Sequence, residues 1–182
     1  MQKVPNNFLY AFTGGPGAGK SSLLDLLGLQ GYQVVPETAR QLIKDRIKSN
    51  LPPRPALAEF AWQLFELDLE NYKQYQSTEK PIFFDRSIVD SAGLLFEFDP
   101  ERYATIKHLI KQHRINKKVF IFPPWREIYT QDDERDQTFE QAIEIFDRMC
   151  SWYRVCGYQL IEVPAAALAS RAEFVLSHIE KS

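Results

Sequence analysis

The feature that most constrains this chain is a glycine-rich segment near its N-terminus, which fills the pattern G-x-x-x-x-G-K-[S/T]. Glycines in this pattern let successive backbone N–H groups turn toward one anion, and the helix that follows adds its positive end. An apolar run at residues 8–12 precedes the segment, and a helical pattern begins at Lys20. Because the motif requires a strand before it and a helix after it, the segment predicts a loop that holds the phosphates of a nucleoside triphosphate. The residues predicted to bind it are Gly14, Gly15, Pro16, Gly17, Ala18, Gly19, Lys20, Ser21 and Ser22.

Apolar runs and helical patterns alternate along the rest of the chain. The runs predict five strands, at residues 8–12, 32–35, 82–84, 119–122 and 158–163. Each connection is long enough for a crossover, which predicts an α/β fold with a mostly parallel sheet and helices on both faces. Ligands of such sheets bind at the carboxyl ends of the strands. The residues that follow each strand are therefore the candidates for function.

Three S/T-x-x-D/E/Q patterns predict capping boxes at the starts of helices. They begin at Ser87, Thr138 and Ser170. We interpret Asp90 as the capping partner of Ser87, which gives this carboxylate a role in stability alone.

The composition is that of an ordinary globular chain. Of the 182 residues, 45% are hydrophobic and 25% are charged, and the net charge is −2. We expect one domain over residues 1–182 and no nucleic-acid partner, because the chain has no basic excess. Cys150 and Cys156 lack metal or redox spacing, so reduced thiols are expected. No apolar run has the length of a membrane span, and we expect a cytoplasmic protein.

The third predicted strand ends in a carboxylate. Asp85 follows the apolar residues 82–84 and should emerge beside the phosphate loop. A loop hydroxyl and such an aspartate commonly place the Mg²⁺ of a bound nucleotide, so Ser21 and Asp85 are the predicted metal ligands. Arg86, rather than a water-activating glutamate, comes next, which argues against a ring-forming motor ATPase. Residues 116–118 lack the aspartate that reads guanine, so ATP and Mg²⁺ are the predicted cofactors.

Five stretches in order along the chain carry short motifs, at residues 14–22, 35–40, 84–90, 129–135 and 157–164. Together they resemble the NadR-type AAA domains, a small P-loop family that shares the fold of nucleoside and nucleotide kinases. The resemblance implies a P-loop NTPase three-layer sandwich with a kinase-like lid at about 125–137. It also implies that Arg135, and less directly Arg126, closes over the transferring phosphoryl group. A solvated loop is the alternative, because acidic residues surround both arginines.

Four further residues are candidates for contact with a second substrate, the acceptor. Kinases of the resembled fold often keep a substrate-facing carboxylate at the position of Glu37, which could instead only stabilise a helix start. Arg40 and Arg86 could hold an acceptor phosphate or form structural ion pairs. Gln63, beside Trp62 on the long helix, could line a base pocket, although aromatic residues at helical spacing are usually core.

These residues together predict a kinase-like phosphotransferase that acts on an unidentified small-molecule acceptor. Lys20, Asp85, Glu37 and Arg135 are the predicted catalytic residues. Phosphoryl transfer depends mainly on positioned charge, which the cations supply, while the carboxylates serve the metal and the acceptor hydroxyl. The alternative is a nucleotide-dependent switch, in which triphosphate binding orders the lid and hydrolysis is slow. Both functions need the same loop, so the sequence leaves this choice open.

Overall fold

A computed structural model of the chain describes residues 8–128 and 138–179. The strands are β1 Leu9–Gly14, β2 Gln33–Val35, β3 Ile82–Asp85, β4 Lys118–Phe122 and β5 Gln159–Glu162. The helices are α1 Lys20–Leu29, α2 Thr38–Lys48, α3 Leu57–Tyr75, α4 Ile88–Phe98, α5 Pro100–Gln112, α6 Phe139–Val155 and α7 Leu168–His178. A short 3-10 turn, Arg126–Ile128, follows β4. Among the helices of these two segments, none has the length and apolar character that a membrane crossing requires.

The five strands form one sheet in the order β2-β3-β1-β4-β5, and every neighbouring pair is parallel. Leu9 and Ala11 of β1 pack with α3, α4 and α6 on one face, whereas Tyr10 and Phe12 pack with α1 and α7 on the other. Because both faces of β1 are covered, the strand is a continuous apolar run rather than an alternating one. The predicted three-layer α/β sandwich is confirmed.

The central position of β1 determines where a ligand can bind. β2 and β3 lie on one side of it, and β4 and β5 lie on the other. The chain runs from β1 to β2 on one side and crosses from β3 to β4 on the other, and this change of direction opens a crevice at the carboxyl end of β1. The register pairs Phe12 of β1 with Asp85 of β3, so Asp85 lies level with the start of the glycine-rich loop.

Two of the three predicted capping boxes are present, at Ser87 and Thr138. The third prediction, at Ser170, is wrong. α7 begins at Leu168 with Ala167 at the cap position, three residues before the predicted cap, and the amide of Arg171 already bonds the carbonyl of Ala167 at 3.1 Å. Ser170 therefore lies inside the first turn. The start of α7 follows from the packing of its buried face against α1 and the loop, not from a side-chain cap.

Candidate active site

The glycine-rich loop adopts backbone conformations that L side chains disfavour. Gly14 has φ +129°, and a Cβ there would lie 2.5 Å from the carbonyl oxygen of Phe122. Gly19 has φ +75°, and a Cβ there would lie 2.6 Å from the guanidinium of Arg171. Within the described residues no side chain caps α1, which begins at Lys20. Its first N–H groups are thus free to face an anion held in the loop.

Lys20 is held inside this loop. Its side chain is buried, and Nζ donates to the carbonyl of Gly14 at 3.0 Å and to that of Gly15 at 2.8 Å. Burial, with the nearby charge of Arg86, lowers the pKa of Lys20 to about 8, and the neighbouring carboxylates, Asp85 first among them, partly oppose this. The ammonium group is therefore poised at the centre of the loop, where phosphates would restore its full charge.

Asp85 ends β3 and lines the same cleft as the loop. The residue is 8% exposed, and its Oδ1 is buried without a hydrogen-bond partner among the described residues. Burial raises the pKa of this carboxyl, and the charge of Lys20 opposes the rise. A buried carboxylate oxygen without a partner is costly and suits a cation. With the hydroxyl of Ser21 lining the same cleft, the donors fit Mg²⁺, which commonly takes few protein oxygens beside phosphates and water.

Arg86 joins the loop to two carboxylates. Its guanidinium donates to Glu37 Oε1 at 3.1 Å, to the carbonyl of Gly14 at 3.1 Å and to Asp90 Oδ1 at 3.5 Å. Its backbone has φ +71°, which is uncommon for a residue with a side chain, and its amide donates to the carbonyl of Phe12 at 2.9 Å. Both its backbone and its side chain are thus fixed against β1. The predicted structural ion pair is present at the wall of the cleft.

Glu37 accepts hydrogen bonds from two arginines at the mouth of the cleft. Oε2 accepts from Arg40 Nε at 3.0 Å, and Oε1 accepts from Arg86 Nε at 3.1 Å. Burial acts to raise the pKa of Glu37, but the charges of Arg86, Lys20 and Arg40 outweigh it and hold the pKa below its ordinary value. Glu37 immediately precedes α2, yet its side chain makes no capping bond. The carboxylate therefore remains ionised and faces the cleft cations.

Asp90 does more than cap α4. Its Oδ2 accepts from the amide of Ser87 at 2.9 Å, which confirms the predicted capping contact. The same oxygen accepts from the hydroxyl of Tyr153 at 2.5 Å, and Oδ1 accepts from the hydroxyl of Thr13 at 2.5 Å. Arg86 contacts Oδ1 as well. The predicted capping role of Asp90 is present, and its further contacts join β1 and α6 to Arg86.

These groups line one cleft of about 350 Å³ at the carboxyl end of β1. Loop residues 16–22 form one wall, and Ile128 lies at its edge. The opposite wall is made of Glu37, Arg40, Asp85 and Arg86. The structure therefore brings together the predicted phosphate loop, the predicted metal ligands and three of the four predicted acceptor residues.

Gln63 does not line this cleft. It accepts from Arg46 at 3.3 Å and donates to Glu59 at 2.8 Å, on the surface formed by α2 and α3. Its neighbour Trp62 turns the other way and packs against the core, with its ring 6.3 Å from that of Phe65. The structure thus gives neither residue a place in a base pocket beside the phosphate loop. α3 presents Gln63 to the charged surface because its apolar stripe is turned to the sheet.

The predicted lid is described only at its beginning. Arg126 is 71% exposed, 3.8 Å from Glu140, with its guanidinium 4.3 Å from the ring centre of Phe139. It lies outside the residues that line the cleft. Arg135, and residues 129–137 as a whole, lie outside the described residues.

A comparison with models of known protein families gives a match that covers the glycine-rich loop and all five strands. The profile of a family described as AAA domain matches residues 9–171. The chain belongs to this AAA domain family. Comparison with curated proteins gives no significant sequence match.

Solved structures share the fold of this AAA domain at low identity. A deoxyadenosine kinase from M. mycoides, solved with dCMP and dCDP, matches with a TM-score of 0.66 and 16% identity, over 93% of this chain and 97% of that chain. A thymidylate kinase from Candida albicans matches with a TM-score of 0.59 and 13% identity, over 94% and 90%. One from Ehrlichia chaffeensis matches with 0.57 and 16%, over 95% and 98%. At this identity the likeness establishes the fold, which is that of P-loop kinases.

Proposed function

We propose that this AAA domain is a Mg²⁺-dependent phosphotransferase that moves the terminal phosphoryl group of ATP to a hydroxyl of a nucleoside, a nucleotide or a similar small molecule. The observation that carries the proposal is Oδ1 of Asp85, which has no hydrogen-bond partner in the described segments and is buried in the same cleft as Lys20 and Ser21. The fold of deoxyadenosine and thymidylate kinases supports the choice of acceptor class. We also propose that residues 1–182 form this one catalytic domain.

The loop side of the cleft would bind the nucleotide. The N–H groups at the start of α1 and the ammonium of Lys20 face the position of the phosphates, and Lys20 would exchange its bonds to Gly14 and Gly15 for bonds to phosphate oxygens. Ser21 and Asp85 would hold Mg²⁺. When bound, this ion would neutralise part of the charge on the phosphates.

The opposite side of the cleft would position the acceptor. Glu37 and Asp85 are the carboxylates that can accept the proton of an acceptor hydroxyl. The charges of Arg86, Lys20 and Arg40 hold the pKa of Glu37 below its ordinary value, whereas burial raises the pKa of Asp85. Phosphoryl transfer relies more on alignment than on a strong base, so Glu37 suits the task of orienting the hydroxyl. We assign Arg135 and Arg126 of the lid to the charge on the transferring group.

A screen of acceptors tests this proposal. The full chain is incubated with Mg-ATP and a panel of nucleosides, nucleotides and small alcohols, and ADP release is measured for each. A phosphotransferase releases ADP at least about tenfold faster with one acceptor class than with water alone, a difference of about 1.4 kcal/mol in barrier height. The Lys20→Ala variant is the control and should lose this rate. One slow rate with every compound would contradict the proposal and would favour the nucleotide-dependent switch.

A further inference from the structure

Arg171 is a buried arginine behind the phosphate loop that neither the motif nor the proposed reaction includes. It lies in the first turn of α7 and is 4% exposed. Nη2 donates to the carbonyl of Ala18 at 3.1 Å, while Nε is buried without a partner among the described residues. The guanidinium lies 5.2 Å from the ring centre of Phe122 and 5.5 Å from that of Trp125. It is thus enclosed by the loop and two aromatic rings.

The charge of this guanidinium has no carboxylate to balance it in the described part of the chain. Arg171 forms no ion pair there, and burial alone accounts for a pKa below the ordinary arginine value. Arg102 is the contrasting case, because carboxylates balance its charge. It pairs with Glu59 at 3.1 Å and with Asp99 at 3.4 Å, although its guanidinium also lies over a tryptophan ring. Buried charges in proteins are normally paired. Since no described residue balances the charge of Arg171, we expect an anion to bind nearby.

A nucleotide bound in the adjacent phosphate loop would supply this anion through its phosphates. A Cβ added to Gly19 would come within 2.6 Å of Nη1 of Arg171, so the guanidinium touches the backbone directly before Lys20. Its bond to the carbonyl of Ala18 fixes the backbone of a residue that itself lines the cleft. A positive charge buried against the loop backbone would act on bound phosphates through protein rather than through solvent, where charges interact more strongly.

We propose that Arg171 is a second cation of the nucleotide site, which acts from behind the loop: it holds the Ala18–Gly19 backbone in place and has its buried charge balanced by the phosphates of the bound nucleotide. This inference rests on the proposed nucleotide binding but not on the transfer reaction. It deepens that function by adding a positioning residue outside the motif. Packing is the competing explanation, in which the guanidinium merely fills the space between the loop and two rings.

Charge-keeping and charge-removing variants separate these explanations. Arg171→Lys keeps the positive charge but loses the planar guanidinium. Arg171→Gln keeps an N–H donor for the carbonyl of Ala18 but loses the charge. Binding of Mg-ATP and of Mg-tripolyphosphate, which has no base or sugar, is measured by calorimetry. Thermal unfolding without ligand confirms that each variant is folded. Arg171→Met is a second neutral variant should the glutamine variant not fold. Arg102→Met is the matched control.

The affinity for both ligands should fall by about tenfold in Arg171→Gln and in Arg171→Met, and by about threefold or less in Arg171→Lys, which keeps the charge. Both ligands should be affected equally, because the charge of Arg171 acts on the phosphates and not on the base or the sugar. Arg102→Met should change neither affinity. Two results overturn the inference: a lysine variant that binds no tighter than the neutral ones, or a glutamine variant that binds as tightly as wild type. Wild type that binds Mg-ATP and phosphorylates no acceptor refutes the proposed reaction and leaves this inference standing.

Discussion

The two walls of the cleft are built in different ways. The phosphate wall is a single stretch of backbone, residues 16–22, whose shape depends on glycines and on the start of α1. The opposite wall is an array of side chains from separate elements, in which ion pairs link Glu37 to Arg40 and Arg86, and Arg86 is held from behind the wall by Asp90. A backbone cradle recognises a group common to all nucleotides, whereas a side-chain array can change with the acceptor. We therefore expect mutations in the phosphate wall to weaken nucleotide binding, and mutations in the side-chain wall to affect the acceptor and the transfer step.

The largest expected effect concerns Asp85, a carboxylate of the side-chain wall that pairs in register with Phe12, just before the phosphate loop. Asp85→Asn should lower Mg²⁺-dependent turnover by at least about a hundredfold, in line with the loss of a positioned charge at a transition state. Its buried Oδ1 has no partner among the described residues, so the melting temperature at pH 7 should stay the same or rise. ADP release and thermal unfolding measure the two quantities. A loss of turnover below about tenfold would remove Asp85 from the metal site.

Mutation of Asp90 should lower stability more than turnover, the reverse of Asp85, because Asp90 supports the side-chain wall from behind. It accepts hydrogen bonds from Thr13, Tyr153 and the amide of Ser87, and it contacts Arg86. Hydrogen bonds to a charged group contribute about 1.5–3 kcal/mol each, so Asp90→Asn should lower the free energy of unfolding by about 2 kcal/mol. Denaturant unfolding measures this loss.

The effect of Asp90→Asn on turnover should be smaller than that of Asp85→Asn and should appear in the KM for the acceptor. Tyr153→Phe, which removes one bond to Asp90 and the contact of the same hydroxyl with Ser87 Oγ but keeps the carboxylate, is the matched control and should lose less stability. An Asp90→Asn protein of normal stability that has no activity would show that Asp90 itself faces a substrate.

Nucleotide binding at the phosphate wall should depend on pH, since the pKa of Lys20 is lowered to about 8. Burial lowers its pKa to about 8, so the free protein loses this charge as the pH rises through 8. Phosphates favour the charged form, and binding above pH 8 must therefore take up a proton. The affinity for Mg-ATP should fall by about tenfold between pH 7 and pH 9. In Lys20→Arg the guanidinium keeps its charge and the decline should vanish; the same decline in both proteins would contradict this assignment.

The phosphate wall could be predicted from sequence because its residues are contiguous and their spacing carries the information. The side-chain wall could be predicted only as a set of candidates, since Arg86 and Glu37 are 49 positions apart and their pairing depends on the strand order. For Asp90 the sequence predicts only the capping box, which is present. Its bonds to Thr13 and Tyr153 could not be predicted, because they join residues 77 and 63 positions apart.

Arg171 and the start of α7 illustrate a second limit of sequence patterns. The S-x-x-E spacing at Ser170 has the form of a cap, yet the helix begins earlier because its buried face packs against the phosphate loop. No local signal marks a buried arginine that serves a loop 153 positions away. Long-range packing determines such residues, and local patterns carry little information about it.

Titration calorimetry of Mg-ATP into wild type, Lys20→Ala and Glu37→Gln tests most directly the claim that the two walls hold two different substrates. Lys20→Ala should bind at least about tenfold more weakly, because a hydrogen bond to a charged group contributes about 1.5–3 kcal/mol. Glu37→Gln belongs to the other wall and should bind within about twofold of wild type. Equal affinity of Lys20→Ala and wild type, or equal losses in both variants, would contradict the account.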